Sequence, residues 1–171
     1  REPGGTQIGE QLRDILKAEH SDKLEDVTEL LLMYASRTQL FRQVIQPALQ
    51  NGTWVIADRF ELSSYAYQGM GRQLPLDSLK MLSELCLNNF RPDLTLYLDI
   101  SYETSEQRLK SRGLAKDRIE QEEKLFFDRI REGYLQFAND TSTIQIIDAS
   151  QNEAEVSVSV KQHLEQLCLQ S

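Results

Sequence analysis

Residues 94–100 read LTLYLDI, directly behind Pro92 and Asp93. A short leucine- and aromatic-rich run, opened by a turn pair and flanked by helical periodicity, predicts a buried strand. Upstream, Leu79, Leu82, Leu85 and Cys86 supply the inward face of a helix over 76–89. Downstream come a helix over 102–112, a basic loop over 113–118 and a helix over 119–139. In the last of these Phe126, Phe127, Ile130, Tyr134 and Phe137 share one face. Two further apolar runs, TWVIA at 53–57 and 143–147, predict strands of the same kind. Helices over 7–20, 26–50 and 154–169 account for most of the remainder, and 63–71 reads as a short helix breaking into a glycine-containing loop. In 7–20 the stripe is Ile8, Leu12, Ile15 and Leu16; in 26–50 it is Leu30, Leu31, Tyr34, Phe41, Ile45 and Leu49. Asp26 followed by Glu29 reads as a capping box, Pro47 as a bend and Asn51-Gly52 as a stop. Short strands separated by helices give an α/β protein with a parallel sheet flanked by helices.

The 171 residues suit a single domain, 1–171, with no Pro- or Gly-rich linker to divide it. Apolar residues at 40% and charged residues at 27% are those of an ordinary globular chain, and no apolar run reaches the roughly 20 residues of a membrane span. A net charge of −8 argues against nucleic acid as a partner, while leaving room for a small anion held by a few arginines. Cys86 and Cys168 each fall in an apolar helical pattern and read as buried thiols.

Three stretches could carry chemistry. Asp58 and Arg59 follow TWVIA at the carboxyl end of a predicted strand, where open parallel sheets bind ligands; a structural ion pair fits that position equally. Arg1–Thr6, REPGGT, places two glycines before a helix, so that backbone N–H groups can approach an anion, or simply turn the chain. Residues 111–123, SRGLAKDRIEQEE, crowd Arg112, Lys116 and Arg118 around Gly113. A mobile basic loop suits a lid over transferring phosphates, and a solvated turn with an Arg118–Glu122 pair is the alternative. Arg13 and Arg37 lie on helices, where solvated or salt-bridged side chains are the ordinary case. There is no Ser/His/Asp set, His/Cys metal cluster or GxGxxG fingerprint.

Five ordered segments together resemble bacterial thymidylate kinases of the type whose catalytic arginines sit in the lid: REPGGTQIGEQLR (1–13), MYASR (33–37), ADRFELSSYAYQG (57–69), FRPDLTLYLDI (90–100) and RGLAKDRIEQE (112–122). The resemblance implies a P-loop nucleoside monophosphate kinase-like fold with 111–123 as lid. It implies transfer of the γ-phosphoryl group of ATP to dTMP, with Mg²⁺ accompanying ATP, in a cytoplasmic homodimer that packs its long helices together. Nucleic acid and membrane are not expected partners. By the same resemblance Arg59, Arg118, Arg112 and Asp58 are catalytic. Glu2, Arg13, Met33, Arg37, Arg59, Ser64, Tyr67 and Gln68 bind dTMP. Arg112, Arg118 and Ala149, Ser150 and Gln151 contact ATP, and Asp58 with Glu2 faces the metal. Met33 stands where the family often stacks a phenylalanine on thymine. The family also begins with a strand and a GxxxxGK[ST] loop ahead of REPGG. No such loop occurs in this sequence, so the resemblance implies that the N-terminal strand and P-loop are missing and that this chain alone is inactive. A deoxynucleoside kinase, or a non-catalytic dTMP-binding or dimer-forming module, are the rival readings.

Overall fold

The computed structural model describes residues 1–113 and 115–170. Helix α1 (Gln7–Lys17) is capped by Thr6, whose hydroxyl accepts from the Gly9 amide at 2.9 Å. It packs on α2 (Asp26–Leu40) through Leu16, while Ile8 and Ile15 face outward. Helix α2 runs through a π-helical turn, Phe41–Ile45, into α3 (Gln46–Gln50), so that 26–50 is one long rod. Proline 47 cannot donate to its preceding turn, and the wider turn just before it accommodates that loss. The buried stripe of the rod is Leu30, Met33, Tyr34, Arg37, Leu40, Phe41 and Ile45. Leu31 lies outside it, contrary to the expected stripe, because one residue from Leu30 is about 100° around the helix, and Leu49 near the end of the rod is exposed as well.

Helix α4 (Glu61–Ser64) continues into a second π-helical stretch, Tyr65–Gly71, and α5 (Leu76–Leu87) follows. In α5 Leu79, Ser83 and Leu87 are buried, and Leu85, expected inward, is 76% exposed. Asn88 and Asn89 take left-handed φ values of 52° and 56° and end the helix. Strand β1 (Thr95–Asp99) pairs in parallel with β2 (Ile144–Asp148), Thr95 opposite Ile144 and Asp99 opposite Asp148. Between them run α6 (Tyr102–Arg112) and α7 (Lys124–Asp140), the crossover that a parallel pair requires. The last helix is α8 (Glu153–Gln170).

Three apolar clusters tie the layers together. Leu40, Phe41 and Ile45 meet Leu87; Leu30 and Tyr34 meet Leu79; Ala66 meets Phe126 and Ile130 of α7. Among the described residues, no helix is long and apolar enough to cross a membrane.

Several local expectations are corrected. Residues 53–57 do not form a strand: they pair with no strand among the described residues, and Ile56 is 90% exposed. An apolar run becomes a strand only where a ladder partner takes its backbone groups. Helix α7 begins at Lys124, not 119, because the Asp117 carboxylate takes the amides of Ile119 and Glu120 at 3.1 and 3.0 Å and holds a turn there. Helix α1 stops at Lys17, short of residue 20. Cys168 is exposed and Cys86 half-buried, so neither is the buried thiol the pattern predicts. The Asp26–Glu29 capping box does not form; Glu29 turns inward instead.

Candidate functional site

The first five residues are folded against α1, α2 and the 58–59 corner. The Glu2 amide donates to the Asp58 carbonyl at 2.9 Å, and the Gly4 amide to the Ser36 hydroxyl at 3.0 Å. The Gly5 amide is taken by the Glu10 carboxylate at 2.8 Å. The two glycine N–H groups expected to meet an anion are therefore occupied by the protein's own oxygens. Gly5 has φ 81°, and a Cβ there would lie 2.8 Å from Leu40 Cδ1, so the tight approach needs glycine.

Glu2 and Arg37 form the centre. Arg37 is 1% exposed, and its Nε donates to Glu2 Oε2 at 2.7 Å. Its Nη1 donates to Ser64 Oγ at 2.8 Å and its Nη2 to the Phe60 carbonyl at 3.4 Å, while Tyr34 and Phe60 lie against the guanidinium plane. Burial pushes the Glu2 carboxyl up, and Arg37 only partly offsets it. Its second oxygen, Oε1, is buried with no hydrogen-bond partner among the described residues.

Arg13 borders the same centre, and Arg59 stands next in sequence to Phe60, whose carbonyl Arg37 holds. Arg13 Nη1 donates to the Pro3 carbonyl at 2.9 Å, next in sequence to Glu2. Arg59 follows Asp58 with φ 66°, a left-handed geometry that non-glycine residues rarely adopt. That turn lays its guanidinium over the Tyr67 ring, 4.9 Å from the centroid. Burial, with Tyr67 beside it, pushes the Tyr134 phenol up to about 12 against the lowering effect of Arg59. Arg13 and Arg37 thus reach residues 2–3 from α1 and α2, and the Tyr134 phenol feels both Arg37 and Arg59.

A second polar cluster adjoins it. Glu29, Met33 and Arg37 are spaced i, i+4, i+8 and share one ridge of α2, with Met33 buried between the charges. The Glu29 carboxylate accepts from Gln68 Nε2 at 2.8 Å, Arg72 Nη2 at 3.1 Å and Arg118 Nη2 at 2.6 Å. Burial pushes this carboxyl up, but the bonds from Gln68, Arg72 and Arg118 outweigh it and hold it below the usual range. Arg118 also donates from Nε to the Leu16 carbonyl at 3.1 Å, so it pairs with Glu29 rather than Glu122; Glu122 binds Arg72. Gln68 Oε1 is the other buried acceptor without a partner among the described residues.

The remaining candidates lie apart. Arg112 is exposed and paired with Glu120 at 2.9 Å. Ala149 follows β2, its amide donating to the Asp99 carbonyl at 2.9 Å and its carbonyl accepting from Arg108 at 2.7 Å. Ser150 and Gln151 are exposed beside Asp148. Sequence reasoning missed Glu29, Arg72 and Arg108. The available signal for Glu29 was its position eight residues before Arg37 on the apolar side of a helix.

For a metal, no group of three or more His, Cys, Asp or Glu side chains gathers among the described residues. Mg²⁺ needs only one or two carboxylates when phosphate oxygens and water complete its shell. Asp58, exposed, fits that limited role, and Glu2, whose Oε1 has no partner among the described residues, is joined to it by the bond from the Glu2 amide to the Asp58 carbonyl.

The sequence model of the family described as thymidylate kinase matches residues 1–160. A thymidylate kinase of Legionella pneumophila (strain Paris) is 52% identical over 167 residues, which is 97% of this chain and 78% of that protein. One of Pseudoalteromonas translucida is 51% identical over 152 residues, 89% of this chain and 73% of that protein. A crystal structure of thymidylate kinase from Ehrlichia chaffeensis superposes with TM-score 0.73 at 28% identity, covering 96% of this chain and 78% of that one. With its sequence matched almost end to end and its α/β architecture shared with a solved relative, the chain belongs to the thymidylate kinase family.

Proposed function

We propose that this protein transfers the γ-phosphoryl group of ATP to dTMP, giving dTDP and ADP, as a cytoplasmic enzyme of nucleotide biosynthesis. The observation that carries this reading is that Arg13 and Arg37 meet at residues 2–3, with Arg37 and Arg59 both acting on the Tyr134 phenol and with Gln68 Oε1, a buried acceptor without a partner among the described residues, alongside. Guanidinium groups suit a phosphate monoester, and buried acceptors suit the donors of a base.

In this reading Arg13 and Arg59 hold the dTMP phosphate. Arg37, Ser64 and Gln68 meet thymine, with Met33 covering its face, and Tyr67 lies beside the sugar. Arg118 is anchored through Nε and Nη2 and reaches the ATP phosphates through Nη1, which has no bond among the described residues, and Arg112 is the weaker lid candidate. Residues Ala149–Gln151 receive adenine. Asp58 and Glu2 would hold Mg²⁺, which when bound would neutralise phosphate charge. A dTMP phosphate oxygen attacks the γ-phosphorus in line; that P–O bond forms as the bond to the β–γ bridging oxygen breaks and ADP leaves. The protein contributes position and charge, and closure of 111–123 excludes water. Apolar Val27 and Leu31, exposed four residues apart on α2, support a homodimer formed along that helix.

The test is ADP formation dependent on dTMP, with thymidine alongside, in the full-length protein. Arg59→Ala and Arg118→Ala are each expected to lower turnover about 10²–10³-fold. Wild-type rates in both overturn the role assignment, and turnover on thymidine but not dTMP favours the deoxynucleoside kinase.

A further inference from the structure

Glu29 lies outside every role assigned above, yet it is among the most deeply buried charges in the molecule. A carboxylate so placed must be compensated, and its three partners come from two separate segments, Gln68 and Arg72 from the π-helical stretch and its end and Arg118 from far along the chain. We infer that Glu29 is a positioning residue that fixes which face of the Gln68 amide the base meets, and with the same carboxylate anchors segment 115–123.

The first half follows from hydrogen-bond chemistry. The side-chain amide of a glutamine can flip, and its two ends look alike in shape. An ionised carboxylate only accepts, so the end facing Glu29, 2.8 Å away, must be the NH₂. The carbonyl is thereby turned the other way, where it is buried and without a partner among the described residues. Such an acceptor seeks an N–H donor. The N3 position of thymine carries one; the N3 of cytosine is itself an acceptor and repels it. Glu29 thus selects an imide pyrimidine without touching it. The second half follows from Arg118 and Arg72. Arg118 leads from Glu29 to the Leu16 carbonyl, and Arg72 leads from Glu29 to Glu122, so both ends of 118–122 hang on this carboxylate. Lys17 adds an ion pair to Asp117 at 2.5 Å.

This inference rests on the dTMP reading of the site, and the experiment separates the two. In Glu29→Gln the new amide can accept from or donate to Gln68, so the flip is released at nearly constant volume. The dTMP affinity, measured by calorimetry against dCMP, is expected to fall about tenfold while dCMP holds or gains. Tryptic cleavage after Arg112, Lys116 and Arg118 is expected to speed several-fold. Glu29→Asp, still acceptor-only, is expected to keep the preference for dTMP. A folded Glu29→Gln protein with the wild-type dTMP:dCMP ratio and cleavage rate overturns the inference. Where that variant does not fold, amide exchange in the wild type decides: the Gln68 NH₂ protons should exchange far more slowly than those of exposed Gln50, and equal rates overturn it. A wild-type protein that binds no thymine nucleotide overturns the kinase reading and the base-selection half, and the cleavage and exchange readouts then decide the anchoring half.

Discussion

Arg37→Met is the sharpest test of how the centre is held together. Methionine retains an unbranched apolar stem between Tyr34 and Phe60 but removes the donors to Glu2, Ser64 and the Phe60 carbonyl. Glu2 is then a buried carboxylate with neither oxygen compensated among the described residues, since Oε1 has no partner among them to begin with. Breaking one side of a buried ion pair costs about 3–5 kcal/mol, out of a total stability of about 5–15 kcal/mol. For a chain of this size that lowers the melting midpoint by about 6–20 °C. Replacing both partners, Glu2→Gln with Arg37→Met, removes the stranded charge, and most of the loss should return. Urea unfolding of the three proteins at constant m measures this. The sign of the pH dependence is a second check. The folded-state pKa of Glu2 is raised already, and losing Arg37 raises it further. A raised carboxyl favours the fold below its unfolded value and loses that advantage as pH climbs through the folded value. The deficit of Arg37→Met should therefore be larger at pH 7 than at pH 5. A single variant within about 1 kcal/mol of wild type, or a double variant no better than the single, refutes the reasoning.

Three further outcomes are expected. Gly71→Ala places a Cβ 2.7 Å from Phe126 Cε2 and 3.1 Å from Ile130 Cγ1, and this overpacking should cost about 1–3 kcal/mol by urea unfolding. Glu29 has a folded-state pKa below its ordinary 4.5, so its contribution is complete above that pH and is lost as pH falls through the folded value; Glu29→Gln should flatten the acid limb of a stability–pH profile below about pH 4.5. Leu31→Arg puts a charge on the exposed apolar line of α2 and should shift sedimentation equilibrium toward monomer, with near-unchanged secondary structure by circular dichroism.

Local pattern was enough for the elements that stand on their own periodicity. The strand at 94–100, its partner near 143–147, and the unbroken rod over 26–50 were all legible, because leucine spacing and turn residues act within a few positions. TWVIA was not, since the same five residues are extended chain or strand according to whether a ladder partner lies beside them. Leu85 and Leu31 were misplaced for a related reason: a leucine-rich helix offers more apolar positions than its neighbours cover. Resemblance singled out Arg37, Ser64 and Gln68, and no spacing rule could have linked them. Their bonds join residues 27 to 39 positions apart, and Arg118 meets Glu29 across 89. Glu29 was hidden by a plausible local role. A glutamate three residues after Asp26 reads as a cap until the tertiary structure offers it two guanidinium groups and an amide, which outweigh one exposed backbone N–H.

The wide turn at Phe41–Ile45 has a consequence for how this rod can change length. An α-helix advances about 100° per residue, so inserting or deleting one position between Glu29 and Arg37 would swing one of them off the ridge they share. A π-helical turn already carries a surplus residue, and losing one there returns the chain to ordinary winding. A one-residue deletion just beyond Phe41 would therefore leave the Glu29–Met33–Arg37 ridge in place and turn Ile45 relative to Leu87 instead, so its cost would fall on the core and not on the site.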